Sequence, residues 1–180
     1  MTRQRLSADE RREQVLDAAM HEFGLGGYDS VSVSAIAERA GVSQPYVFRL
    51  FGTKKDLYVA CIRERTRVIR EAFRTAAEAS PEDPLDAMAA AYLALLADDP
   101  VALRAQLQAW SSASDPVIGE AARSSYLSIW RDVHDLTGIG PDQVRDFMAQ
   151  GMLLTVLAVL DLPDLYADPE LPLRGEHPQE

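Results

Sequence analysis

An all-α protein is predicted, with an N-terminal three-helix unit of helix-turn-helix type and a larger C-terminal helical unit. Three observations carry this reading. Apolar residues recur at spacings of three and four along most of the chain, and no segment alternates as a strand would. Proline and glycine stand where helices would start and stop. Charge is unevenly shared: residues 1–75 hold 13 Lys and Arg against 10 Asp and Glu, while residues 76–180 hold 5 against 18, which together give the net charge of -10. A cation-bearing N-terminal third joined to an acidic remainder implies two jobs.

With 180 residues, 47% of them apolar, the chain has enough material for a real core. The single cysteine, Cys61, excludes an intramolecular disulfide framework and suits a reducing cytoplasm. The N-terminal MTRQRLSADERREQ lacks an apolar signal region. The longest apolar run, residues 152–160, is broken by Thr155 and is too short to span a bilayer. A cytoplasmic protein with no membrane partner is expected.

The first helix opens at Ser7, with Glu10 three residues on, the pattern of a capping box. Val15, Leu16, Ala19, Met20 and Phe23 form its buried stripe, and Gly24, Gly26 and Gly27 are expected to stop it. Val33, Ile36, Ala37 and Ala40 mark a short second helix that Gly41 ends. Ser43 is expected to cap a third helix, whose first turn tolerates Pro45 because the missing N–H would have had no partner. At 100° per residue, Val47, Leu50 and Phe51 share a buried face. Gln44, Pro45, Phe48 and Arg49 fall opposite, with Tyr46 at the flank.

A fourth helix is expected from Thr53 to about Ala79. Lys54 and Lys55 stand at its positive end, where cations are unfavourable unless an anion binds there. Two short helices joined by residues 40–43 have the spacing of a helix-turn-helix. Its second member would enter a major groove while nearby amides and lysines hold phosphates.

The stretch VSAIAERAGVS (33–43), followed by VFRLF (47–51), Lys54 and Leu57, resembles the TetR family of bacterial transcription regulators. The resemblance covers roughly residues 10–60. It implies that Gln44, Pro45 and Tyr46 occupy base-reading positions and that Phe48 stands where a Tyr usually touches DNA, without its hydroxyl. It also implies that Lys54 grips a phosphate and that Ser32 and Ser34 match phosphate contacts. With Ser43, Arg49, Thr53 and Lys55 these residues form the expected DNA-binding set. The function implied is that of a ligand-responsive regulator, typically a repressor, that binds a palindromic double-stranded DNA operator as a homodimer and is released by a small-molecule effector.

Behind this unit, Pro84 opens a fifth helix with Leu85, Met88, Ala89, Tyr92 and Leu96 inward. Pro100 opens a sixth with Leu103, Leu107 and Trp110. Asp115 and Pro116 start a seventh, carrying Ile118, Ala122, Tyr126, Ile129, Trp130 and Val133 to about Thr137. Gly140 and Pro141 open the eighth. The aromatic residues Phe73, Tyr92, Trp110, Tyr126 and Trp130, with Met88 and Gln106, are the candidate lining of a largely apolar effector site. The eighth helix is apolar around more of its circumference than one core requires. Val144, Phe147, Met148, Gly151, Met152, Thr155 and Val159 are therefore its expected dimer face. Domain boundaries are expected at 1–52 for the DNA-binding unit and 53–165 for the ligand-binding and dimerisation unit. A flexible tail is expected at 166–180, within a proline-rich and charged stretch that begins at Pro163.

Other features have plainer readings. Arg63, Arg67, Arg70 and Arg74 recur on one helical stripe near Glu64 and Glu71, as a solvated ion-paired face would. Cys61 reads as a small buried hydrophobe. His21, His134 and His177 are isolated; Asp132, His134 and Asp135 could suggest a metal or acid–base site, but a His in the last turn of a helix is commonly structural, so neither catalytic activity, metal nor cofactor is expected. The competing reading is a helical dimer that binds a small molecule and no DNA.

Overall fold

The computed structural model describes residues 7–162, and the expected tail lies outside them. Eight helices follow in order: α1 (Ala8–Ser30), α2 (Val33–Arg39), α3 (Gln44–Phe51), α4 (Lys54–Ala79), α5 (Pro84–Asp98), α6 (Pro100–Ser111), α7 (Pro116–Thr137) and α8 (Pro141–Val159). The described residues contain no strand. None of the helices among them is long and apolar enough to cross a membrane.

Helix starts follow local chemistry. The Ser7 amide donates to Glu10 Oε2 at 2.6 Å and the Glu10 amide to Ser7 Oγ at 3.1 Å, closing the expected capping box. Three later helices begin with an aspartate before a proline. Asp83, Asp99 and Asp115 each accept amides of the turn that follows, and the proline needs no partner for the N–H it lacks.

The end of α1 differs from the sequence expectation. Gly24 and Gly26 lie within the helix, and only Gly27 leaves helical geometry, at φ 72° and ψ 175°. Gly24 is buried, and a Cβ on Gly26 would come within 2.8 Å of Val31 Cγ2. Close packing, rather than a stop, accounts for Gly26.

The chain divides into two compact units. Among the described residues, the first holds 7–67 together with Arg104–Ser125. Its core gathers Val15, Ala19, Phe23, Ile36, Val47, Leu57, Tyr58 and Cys61, with Ala109 and Ile118 from α6 and α7. Phe23 and Tyr58 meet edge to face at 4.6 Å. The second unit holds Val68–Leu103 and residues 126–162. Ile69, Phe73, Met88, Tyr92, Leu103, Val133 and Val144 are buried at its centre. A boundary at residue 52 therefore does not coincide with the packing, because α4 supplies side chains to both cores.

Candidate nucleic-acid interface

The turn between α2 and α3 is set by backbone geometry. Gly41 adopts φ 61°, its amide donates to the Glu38 carbonyl at 3.0 Å, and the Val42 amide donates to the Ala37 carbonyl at 3.0 Å. These two bonds make a Schellman closure, which needs a left-handed residue where glycine stands. Ser32 Oγ caps α2 by accepting the Ala35 amide at 3.1 Å. Ser43 occupies the start of α3 but makes no side-chain cap, contrary to expectation.

On α3, Val47 is buried and Leu50 and Phe51 pack against the same core, which fixes the helix's inward face. Gln44, Pro45, Phe48 and Arg49 are left exposed, as are Ser32, Ser34 and Ser43, and Tyr46 is half-buried. Phe48 keeps 41% of its surface in solvent, although a monomer core would readily take a phenyl ring. The Arg49 guanidinium stacks 4.6 Å from the Tyr46 ring centre, so the two side chains form one exposed platform. Arg39 Nε donates to Glu22 Oε1 at 2.6 Å, bracing α2 against α1.

The start of α4 is organised differently from the expected pair of free lysines. Gly52 ends α3 at φ 88°, and a Cβ there would come within 2.9 Å of Asp56 Oδ2. That space admits a second capping box: the Thr53 amide and hydroxyl donate to Asp56 Oδ2 at 3.0 and 2.7 Å, and the Asp56 amide donates to Thr53 Oγ1 at 3.1 Å. Bonding to Thr53 lowers the Asp56 carboxyl below its usual range. The positive helix end is thus complemented from within the chain.

Lys54 reaches back to the last turn of α1, with Nζ donating to the Asp29 carbonyl at 3.2 Å and lying 4.8 Å from the Tyr28 ring centre. Lys55 turns away and donates to Asp115 Oδ2 at 2.6 Å. The bond to Asp115 raises the Lys55 ammonium and lowers the Asp115 carboxyl. Lys55 is therefore tied within the chain through Asp115. The motif T-x-x-D signals the Thr53 cap, whereas nothing local signals Asp115, 60 residues from Lys55.

The sequence model described as "Bacterial regulatory proteins, tetR family" matches residues 15–61, the stretch that carries this surface. Residues 15–61 are thus of TetR-family type. The HTH-type transcriptional activator FasR of Mycolicibacterium smegmatis is 40% identical to it over 75 residues, 39% of this chain and 34% of that protein. The HTH-type transcriptional repressor KstR of the same organism is 32% identical over 113 residues, 62% of this chain and 55% of that protein. The chain thus spans between a third and somewhat over half the length of these two relatives. The fold extends further: the crystal structure of the regulator FadR from Bacillus subtilis in complex with stearoyl-CoA superposes with TM-score 0.73 at 18% identity, covering 92% of this chain and 99% of that one. Against the TetR fold, the candidate residues outside the helix-turn-helix regroup. Phe73, Met88, Tyr92, Tyr126 and Trp130 belong to the second unit, whereas Gln106 and Trp110 belong to the first.

The expected dimer face on α8 is also revised. Val144 and Thr155 are fully buried in their own unit, and Phe147, Met148 and Val159 pack on its core. A Cβ on Gly151 would lie 3.7 Å from the Tyr92 ring. Met152 alone of that set faces solvent, beside Leu153, Val156 and Leu160. The remaining plain readings are easily placed. Arg67 pairs with Glu64, Arg74 with Glu71 and Arg70 with Asp132. Cys61 is buried, and burial pushes its thiol well up. His134 Nδ1 lies 2.9 Å from the Ile139 carbonyl. No group of three or more His, Cys, Asp or Glu among the described residues could hold a metal.

Proposed function

We propose that this protein is a transcription regulator that reads double-stranded DNA with α3, binds a palindromic operator as a homodimer and acts as a repressor released by an effector. The observation that carries the reading is the outward platform of Gln44, Pro45, Tyr46, Phe48 and Arg49, set by buried Val47 and the glycine closure before it. Ser32, Ser34 and Ser43 offer exposed hydroxyls to phosphates on either side, and Lys54 supplies the cation. With DNA as partner, the protein acts in the cytoplasm. It performs no catalysis.

The effector is a small, largely apolar molecule that engages the second unit around Phe73, Met88, Tyr92, Tyr126 and Trp130. The hydroxyls of Tyr92 and Thr155, 2.6 Å apart, give this apolar set a polar pair. The acyl chain of the ligand bound to FadR, a protein of like fold, is in keeping with such a site. Release follows if the effector prefers a conformation that binds DNA weakly, since the shift equals its differential affinity.

Selection of binding sites from random-sequence duplexes tests the reading. A two-fold symmetric sequence should emerge, bound with an affinity that falls steeply with salt. Recovery of no duplex, or binding indifferent to salt, would favour a helical small-molecule binder without DNA.

A further inference from the structure

A cleft of about 360 Å³ opens on the first unit, within the size range of small-molecule sites. Helix α1 lines it with Arg12 and, one turn on, Leu16, and α3 with its last two residues, Leu50 and Phe51. From α4 come Ala60 and a charged face that recurs at helical spacing from Asp56 to Arg67. Leu16 is buried, and Leu50, Phe51 and Ala60 pack on the same core, so the apolar part of the lining is fixed. The Arg12 guanidinium stacks 4.3 Å from the Phe51 ring centre. None of these residues belongs to the proposed DNA surface or effector set.

The two carboxylates of the cleft are already engaged. Glu64 accepts Arg67 Nε at 3.1 Å on each oxygen and Arg67 Nη2 at 2.7 Å on Oε1. Asp56 Oδ2 accepts the Thr53 amide and hydroxyl. Arg12 and Arg63 therefore line the cleft with no acidic partner among the described residues. The arginine stripe that reads in sequence as an ion-paired face thus breaks at Arg63, while Arg67, Arg70 and Arg74 keep their pairs. Three guanidiniums against two carboxylates leave the lining at +1, in a chain of net charge -10.

We propose that this cleft binds a small amphipathic carboxylate, its head held by Arg12 and Arg63 and its apolar body laid along Leu16, Leu50 and Ala60. A guanidinium offers a carboxylate two parallel N–H donors, and one stacked face-on against a ring keeps its N–H edges free for that purpose. The ligand's chemistry follows from the lining. An amine would meet like charge, a neutral chain would leave both guanidiniums unmatched, and a bare anion would leave the apolar wall wet. The site is separate from the effector set of the second unit and does not depend on DNA binding. The chain would then take a second small molecule, on the unit that carries α3.

The test titrates octanoate into the full chain and follows hydrogen exchange residue by residue, so that any binding in the second unit is scored separately. Octanoate should slow exchange at residues 12–16 and 60–67, with an affinity that falls as salt rises. Acetate, octanol and octylamine, which lack the body, the charge or its sign, should each bind more weakly there. Arg12 and Arg63 are exposed, so Arg12→Gln and Arg63→Gln should keep the fold. Each should weaken the octanoate effect about threefold to fivefold, the scale of an exposed charge pair. The double variant should lose about tenfold or more, since each guanidinium holds the head through its own bonds. Octanol or acetate acting as strongly as octanoate at these residues would overturn the proposal. So would slowing confined to the second unit, an octanoate effect at 12–16 and 60–67 that survives the double variant, or no effect of octanoate at all.

Discussion

Two adjacent lysines at the start of α4 have different partners, and the difference sets what each can do. Lys54 gives one bond to the Asp29 carbonyl, and an ammonium has three donors, so it retains capacity for a phosphate. Lys55 faces a carboxylate whose charge cancels its own. Lys54→Ala should therefore weaken operator binding to a similar degree on every sequence and lower the slope of log affinity against log salt by about 0.9. Titration at several salt concentrations checks this, and an unaltered slope would remove Lys54 from the interface. From sequence, both lysines look like broken rules awaiting an anion. The helix dipole they offend is answered by Asp56, three residues past Thr53 in a box whose pattern is local and readable. The partner of Lys55 is not readable in this way, because a side chain 60 residues away is brought there by tertiary packing alone.

At the level of elements, the legible features are those whose cause is local. Aspartates and prolines that open α5, α6 and α7, and the glycine that closes α2, act within one turn and are visible as short patterns. The end of α1 is not, because a glycine kept for close packing looks in sequence like one that stops a helix. The phase of α8 is hidden for a related reason: a helix apolar on most sides does not announce which side faces its own core. Thr155 shows the consequence. It lies at 0% exposure, donating to the Gly151 carbonyl at 2.7 Å and sharing a 2.6 Å hydrogen bond with the Tyr92 hydroxyl. Thr155→Val should lower stability by about 1–3 kcal/mol, because it strands a buried hydroxyl in a site of nearly unchanged volume. Urea denaturation checks this, with the midpoint falling at constant m, and adding Tyr92→Phe should restore most of the loss. A midpoint unmoved by Thr155→Val would mean that the hydroxyl pair contributes nothing to the fold.

At the scale of the whole molecule, the proposed palindromic operator would require a second copy of the reading helix. Half-sites of a palindrome repeat about 34–36 Å apart, and a monomer presents only one α3 to them. The apolar strip on α8 supplies a means of pairing: Met152, Leu153, Val156 and Leu160 keep 38–60% of their surface in solvent, at positions that recur on one side of the helix. A two-fold partner laying the same strip against it would remove that surface from water at both copies at once. Val156→Arg should therefore yield a folded monomer in light scattering. Operator affinity should fall with it, because the second half-site is then no longer held at the high local concentration that linkage provides. Gly151→Arg is the poorer probe, since its side chain would grow toward Tyr92 and disturb the protomer before any partner. If Val156→Arg keeps both its helical signal and the mass of a dimer, the pairing surface lies elsewhere and this strip must be explained without a second copy.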